Sequence, residues 1–321
     1  MQADRHPEST AMNSSDAPAI SPDVIVVGEA LIDVVHARGA DSEHPGGSPA
    51  NVAYGLARLG VSTGFLTAIG NDARGHTINA HLTGAGVELL PGSQSMPTTS
   101  TATATLADDG SASYTFDLTW DLAASTPTHQ PKILHTGSIA SFLAPGSSKV
   151  RSILQHYAGT STITYDPNIR PDLLGSHHEA LAIFEDLVPL TNVVKLSDED
   201  AAWLYPNKSP KDAGRHILNL GTDLVAVTLG AEGSQLLTAV TDINIPAAPS
   251  IVADTIGAGD SYMAAFISGL LTRNTNGWTT SVLEPIGRMA AMAAAITVRR
   301  PGANPPTTDE LQAHLEQPTA C

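Results

Sequence analysis

Short apolar runs rich in β-branched residues recur along the chain at 24–27, 65–69, 133–134, 162–165, 192–196 and 224–229. Each is too short for a helix, and the first (Val24–Val27) is closed by Gly28, the pattern of strands buried on both faces of a parallel sheet. Most are separated by stretches with helical spacing. After Gly46-Gly47, Ser48 is placed to cap a helix with Pro49 at its first position, followed by Val52, Leu56 and Leu59 at i, i+4, i+7 and ended by Gly60. A second helix is predicted to start near Gly259 and run through Met263, Phe266 and Leu270; a third, almost all small or apolar, covers 286–297. This alternation predicts an α/β fold with a doubly wound, mostly parallel sheet.

One segment breaks the pattern. Residues 101–106 alternate Thr with Ala or Leu, Asp109-Gly110 supplies a hairpin turn, and Ala112, Tyr114, Phe116 and Leu118 alternate with polar residues. A hairpin with one apolar face does not suit a two-sided parallel sheet. It is expected in a small β lid, with segments near 33–45 and 97–120, that covers a site with Phe116 over the substrate; its edge would serve a homodimer, and a core strand is the alternative. No internal repeat is present. Residues 1–22, polar and rich in Ser, Pro and Asp, read as a disordered extension before a single domain at 23–315 and a tail at 316–321, with Met12 as an alternative start.

With 321 residues, 42% of them hydrophobic, the chain can bury a substantial core. Sixteen basic residues against thirty-two acidic ones leave a net charge of −16, which argues against nucleic acid or an anionic membrane as partner. Any anionic substrate must be held by local groups. The lone cysteine, Cys321, cannot close an intrachain disulfide, which suits a reducing compartment. No run approaches the roughly 18 apolar residues of a membrane span, and residues 1–22 lack the apolar centre of a secretion signal, so a cytoplasmic location is expected.

The strongest chemical signal is Asp254-Thr255-Ile256-Gly257-Ala258-Gly259-Asp260, directly ahead of an apolar helix. Successive N–H groups of Gly257, Ala258 and Gly259 at a helix N-terminus make a phosphate site. Asp260 would repel that phosphate, which makes sense if it orients a hydroxyl attacking it; the bland alternative is a glycine-rich turn with a capping aspartate. A second signal is Gly46 to Ala53, a diglycine leading into a capped helix with Asn51 three residues beyond the cap. The glycines allow backbone to approach a polyol, Asn51 offers a donor and an acceptor, and Asp33 an acceptor; an ordinary tight turn is the alternative.

These two signatures resemble those of the ribokinase-like sugar kinases, the pfkB family, and within it the fructokinases. The resemblance spans about 23–315 and extends to Asp166-Pro167-Asn168-Ile169-Arg170, to Thr228-Leu229-Gly230-Ala231-Glu232-Gly233 as a nucleotide loop, and to Arg300-Pro301-Gly302-Ala303 as a closing loop. It implies that Asp260 is the catalytic base, that Gly257, Ala258 and Gly259 form an anion hole, and that Thr228, Gly230, Gly233 and Lys195 serve ATP. Asp33, Gly46, Gly47 and Asn51 would hold the sugar. Arg170 would steady the transferring phosphate or bind an acidic sugar, with a surface ion pair as the alternative. Where many relatives show Asn-x-x-Glu, this chain has Ser197 and Asp200; Asp200 would still serve Mg²⁺ through water. A potassium ion is expected near Asp254, Ile256 and the closing loop. Tyr262, two residues after the base, has no evident role, and His135 reads as a satisfied core histidine rather than the edge of a sugar pocket.

The implied activity is transfer of the γ-phosphoryl group of ATP to a primary hydroxyl of a sugar, fructose first. Alternatives are a kinase for 2-keto-3-deoxygluconate, ribose or a nucleoside, and a catalytically silent sugar-binding regulator. No GxxxxGK[ST] loop, GxGxxG after a strand or CxxC is present, and His178-Glu179 is followed by Ala182 where a zinc helix needs histidine.

Overall fold

A computed structural model of the chain describes residues 21–37, 40–106, 112–123, 127, 129–272 and 277–316. The leader at 1–20, the Asp109-Gly110 turn and the end at 317–321 lie outside the described residues. The strands are β1 (Val24–Val27), β2 (Leu31–Ala37), β3 (Ala40–Gly46), β4 (Thr63–Leu66), β5 (Glu88–Leu89), β6 (Thr101–Leu106), β7 (Ala112–Asp117), β8 (Ile133–Gly137), β9 (Thr162–Asp166), β10 (Val193–Ser197), β11 (Leu224–Thr228), β12 (Ser234–Thr238) and β13 (Asp242–Ile245). The helices are α1 (Ser48–Arg58), α2 (Ala73–Gly84), α3 (Gly146–Tyr157), α4 (His177–Leu187), α5 (Asp198–Leu204), α6 (Pro210–Asn219), α7 (Ala258–Thr272), α8 (Thr280–Thr297) and α9 (Thr308–Leu315).

The large sheet runs β13-β12-β11-β10-β9-β8-β1-β4-β5, parallel from β11 to β5, with β12 and β13 added antiparallel at one edge. Alternate side chains of each central strand feed opposite cores. Val24 and Val26 pack with α1, α2, α7 and α8, whereas Ile25 and Val27 pack with α3, α4, α5 and α6. That two-sided demand is why β1 is apolar at every position. The doubly wound, mostly parallel sheet expected from the alternation is therefore present. No helix among the described residues is long and apolar enough to cross a membrane.

The hairpin lies outside the large sheet, in a separate four-stranded sheet ordered β3-β2-β6-β7. One face of this small sheet carries buried Ile32 and Val34 and meets α2. Its roots are tied to the start of that helix. Asp72 caps α2 by accepting from Gly75 N at 2.7 Å, and also accepts from Thr99 N at 2.8 Å and Thr99 Oγ1 at 2.6 Å, just before β6. Those donors hold the Asp72 carboxyl down at about 2. Arg74 reaches Glu43 of β3 at 2.5 Å.

Four boundaries differ from expectation for physical reasons. The run at 65–69 leaves the sheet after Leu66, because Ile69 N donates to Ser93 O at 2.8 Å and Gly70 bridges Met96. Helix α1 is capped by Gly47 with no side-chain cap, since the Ser48 hydroxyl is committed elsewhere. Helix α8 starts at Thr280 rather than Ile286 and carries Pro285 inside it, which leaves the Ser281 carbonyl without its intrahelical donor and hid the first turn from the sequence pattern. The strands β12 and β13 are short and carry polar alternation, so apolar runs did not reveal them.

Helices α1 and α7 approach closely where side chains are smallest: a Cβ on Gly55 would lie 2.9 Å from Ala264 Cβ. Gly55→Val is expected to overpack this contact and cost about 1–3 kcal/mol, read as a lower urea midpoint at unchanged m-value.

Candidate active site

The strands β4 and β8 lie on opposite sides of β1, so a crevice opens beyond its carboxyl end, where open α/β sheets bind ligands. Two segments distant in sequence meet there. Asp260 stands in the first turn of α7, and its Oδ1 accepts from Ser48 Oγ at 2.6 Å while its Oδ2 accepts from Asn51 Nδ2 at 2.8 Å. Both donors are in the first turn of α1, one turn above the Gly55–Ala264 contact. Enclosure pushes the Asp260 carboxyl above its ordinary value, and the two hydrogen bonds and the charges of Lys195 and Arg170 pull it back. Gly257 makes this turn at φ +74°; Ala258 N donates to Thr255 O at 3.3 Å and Ser261 N to Gly257 O at 2.9 Å, which leaves the Gly257 and Gly259 N–H groups of the expected anion hole without a backbone acceptor among the described residues.

A buried ion pair lies under that turn. Lys195 Nζ sits 2.8 Å from Asp166 Oδ2, both side chains almost inaccessible. Burial alone would lower the Lys195 ammonium, but Asp166, Asp200 and Asp260 overcome it and hold it above its ordinary value. A Cβ on Gly259 would lie 3.0 Å from Lys195 Nζ, so a side chain there would crowd the ammonium. Asp166 Oδ1 is buried without a hydrogen-bond partner among the described residues, a free carboxylate oxygen suited to a magnesium-bound water. Asp200 is placed differently. It closes a capping box with Ser197, accepting from Ser197 N at 2.9 Å and Ile169 N at 2.8 Å, so both oxygens are engaged and only further lone pairs are left for water.

The remaining candidates stand on other elements. Thr228 ends β11, and the turn after it uses Gly230 at φ +53° and Gly233 at φ +97°, where a Cβ would collide with Ile245 O. Asp254 bridges two loops, accepting from Ile256 N at 3.0 Å and Gly302 N at 2.8 Å. Ile256 itself is exposed. Arg170 is exposed, donates to Ile169 O at 2.9 Å and makes no ion pair among the described residues, against the surface-pair alternative. Asp33 stands on β2 with its carboxylate over Gly46, where a Cβ would meet Asp33 Oδ2 at 2.0 Å. Gly47, at φ +102°, passes close to Glu29 O. Phe116 lies on β7, partly exposed and stacked with Tyr114 at 6.4 Å.

Two other residues resolve as structural. His135 is buried, 2.9 Å from Thr164 Oγ1, and burial pushes it down to about 3. Tyr262 is buried, its hydroxyl 2.9 Å from Ser234 Oγ, and it stacks on Phe266. Sequence reasoning missed Ser48 as a partner of Asp260, and missed Glu29. That glutamate stands two residues past the end of β1, a charged residue after an all-apolar strand, which was the available signal. It is buried, accepts from Ala140 N at 3.1 Å, and burial pushes it up to about 8.

Residues 21–310 match the family described as pfkB family carbohydrate kinase. The chain belongs to the pfkB family of carbohydrate kinases. It is 31% identical to a fructokinase of Escherichia coli over 302 residues, covering 88% of this chain and 95% of that protein. The fold superposes with TM-score 0.76 on a sugar kinase of Pyrococcus horikoshii solved with ATP, at 29% identity over 90% of this chain and 97% of that one. It also superposes with TM-score 0.78 on a double mutant of the Vibrio cholerae fructokinase, bound to fructose, ADP and potassium, at 26% identity over 92% and 98% of the two chains. The chain is thus a carbohydrate kinase with a ribokinase-like fold, and the silent-regulator alternative gives way.

Glu29 carries a testable pH signature for this kinase. Its folded value is raised, so between about 4.5 and about 8 the folded state holds a proton that the unfolded state has released. The wild type should therefore lose stability relative to Glu29→Gln as pH rises through that window, by at most about 1.4 kcal/mol per pH unit. Urea denaturation of both proteins at several pH values checks this; parallel curves exclude it.

Proposed function

We propose that this carbohydrate kinase is an ATP-dependent fructokinase, transferring the γ-phosphoryl group to a primary hydroxyl of fructose. The observation that carries the reading is the Asp260 carboxylate, held by Ser48 and Asn51 beside the N-terminus of α7. The fructokinases among its relatives support the choice of sugar.

A carboxylate is too weak a base to strip an alcohol in advance, so Asp260 orients the hydroxyl and accepts its proton as the new P–O bond forms and the bond to ADP breaks. The N–H groups of Gly257, Ala258 and Gly259 receive the phosphoryl oxygens, and Lys195 and Arg170 bring positive charge to an otherwise acidic protein. Magnesium, when bound with the nucleotide, neutralises charge on the phosphates; Asp166 Oδ1, with Asp200 through water, is the donor set that fits it. Thr228, Gly230 and Gly233 line the nucleotide side. Asp33, Gly46, Gly47 and Asn51 face the sugar. The bridge from Asp254 to Gly302 brings together the two loops that would hold a potassium ion near Ile256. The lid covers the sugar with Phe116, and its exposed edge at β7 is suited to pairing with a second copy. One observation favours a second reading: the unpaired guanidinium of Arg170 would suit the carboxylate of 2-keto-3-deoxygluconate.

The deciding experiment is an ATP-consumption screen over fructose, ribose, tagatose, 2-keto-3-deoxygluconate and adenosine, ranked by kcat/KM. Fructose should lead; a lead for the sugar acid selects the second reading. Asp260→Asn should lose roughly 10² to 10⁴ in kcat with nucleotide binding retained, and near-normal turnover removes the base assignment. Phe116→Ser should raise the KM for sugar and the leak of ATP hydrolysis to water, with little loss of thermal stability; collapse of folding without kinetic change in the folded fraction marks the hairpin as core instead.

A further inference from the structure

Strand register in the lid aligns residues that sequence order keeps apart. Across β3, β2, β6 and β7, His44 pairs with Asp33, Asp33 with Ala102, and Ala102 with Phe116. Register partners project on one face, so these four side chains form a single row. The next row on that face is Ser42, Val35, Ala104 and Tyr114. Alanines at 102 and 104 leave a trough between Asp33 and the stacked aromatics. The Asp33 carboxylate overlies Gly46, two residues before the Ser48 that holds Asp260, so the trough opens toward the reacting centre.

His44 is the side chain that stands beside Asp33 within this row. It acts on Asp33 electrostatically from β3, while Ala102 on β6 and Phe116 on β7 bring no charge. The other charged groups of these strands, His36, Asp41, Glu43 and Asp117, alternate onto the opposite face, where His36 pairs with Asp41 and Glu43 with Arg74 of α2. A carboxylate can only accept hydrogen bonds, whereas a neutral imidazole donates through one nitrogen. Side by side, the two match a vicinal diol: one hydroxyl donates to Asp33 and the neighbouring oxygen accepts from His44. A sugar acid placed there would meet the Asp33 charge.

We propose that His44 is a specificity-determining residue of the sugar site, pairing with Asp33 to bind adjacent hydroxyls of a neutral sugar. This rests on the fructokinase reading and deepens it, because it names what on the lid selects a neutral ketose over an acidic one.

The test compares wild type, His44→Ala and His44→Gln in steady-state kinetics with ATP and fructose from pH 5 to 8. His44→Ala should raise the KM for fructose about tenfold and lower kcat much less, the loss of roughly one hydrogen bond. His44→Gln, which keeps a donor, should recover most of that loss. Desolvation raises the Asp33 carboxyl to about 6 while His44 opposes the rise, so the charged carboxylate, the stronger acceptor, forms above that pH, and removing His44 should move the acid limb of kcat/KM for fructose to higher pH. An unchanged KM and acid limb in His44→Ala, or equal losses in both variants with an unmoved limb, overturns the pair while leaving the kinase reading intact. A wild type that turns over 2-keto-3-deoxygluconate in preference to fructose overturns both.

Discussion

The close approach of α1 to α7 is the constraint on which the site depends. Gly55 against Ala264 sets the helix separation, and one turn higher that separation delivers Ser48 and Asn51 to the two oxygens of Asp260. The pairing spans 212 residues of sequence, so it exists only when both helices are packed on the same face of the large sheet. A carboxylate fixed through both oxygens cannot turn away from the start of α7, and the proposed phosphoryl transfer would draw on that preorganisation. Stability of the core and geometry of the reacting group are one problem here, solved by small residues at a helix crossing.

Electrostatics follow from the same placement. A chain of net charge −16 repels polyphosphate at a distance, so attraction must be generated within a few ångströms. In the proposed reaction Lys195, fixed by Asp166, would supply it from beneath and the helix N-terminus from behind. Glycine at 259 leaves the ammonium its room under the turn, since a Cβ there would lie 3.0 Å from Nζ. The acidic cluster of Asp166, Asp200 and Asp260 keeps Lys195 charged, so the like charges that would discourage an anion also hold its cation in place.

Much of this was readable before any coordinates, for identifiable reasons. The strands buried on both faces announce themselves because their burial leaves no polar alternation, and the segment from Asp254 to Asp260 stands out because consecutive small residues are followed by an apolar helix. What escaped depends on pairing rather than composition. Ser48 has the signature of a helix cap, and only the arrival of Asp260 diverts its hydroxyl. Strand β3 falls in the β segment expected near 33–45, but its sequence ADSEHPG has no apolar period, and its register comes from pairing along the edge of β2. The Lys195–Asp166 pair joins neighbouring strands that are 29 residues apart in sequence, and two residues inside otherwise apolar runs gave no sign of facing each other. Asp200 stands where a metal-associated glutamate is usual, but its shorter side chain folds back on its own helix terminus.

The small sheet is gathered from two separate excursions of the chain, β2–β3 before α1 and β6–β7 after β5, joined by the parallel pairing of β2 with β6. A two-stranded ribbon alone is marginal in water. Deleting either excursion strips the other of its neighbour, and deleting the first also removes the approach to Ser48. A sheet assembled in this way is no detachable insert: each excursion takes its central pairing from the other, so neither can be cut out and leave the rest of it folded.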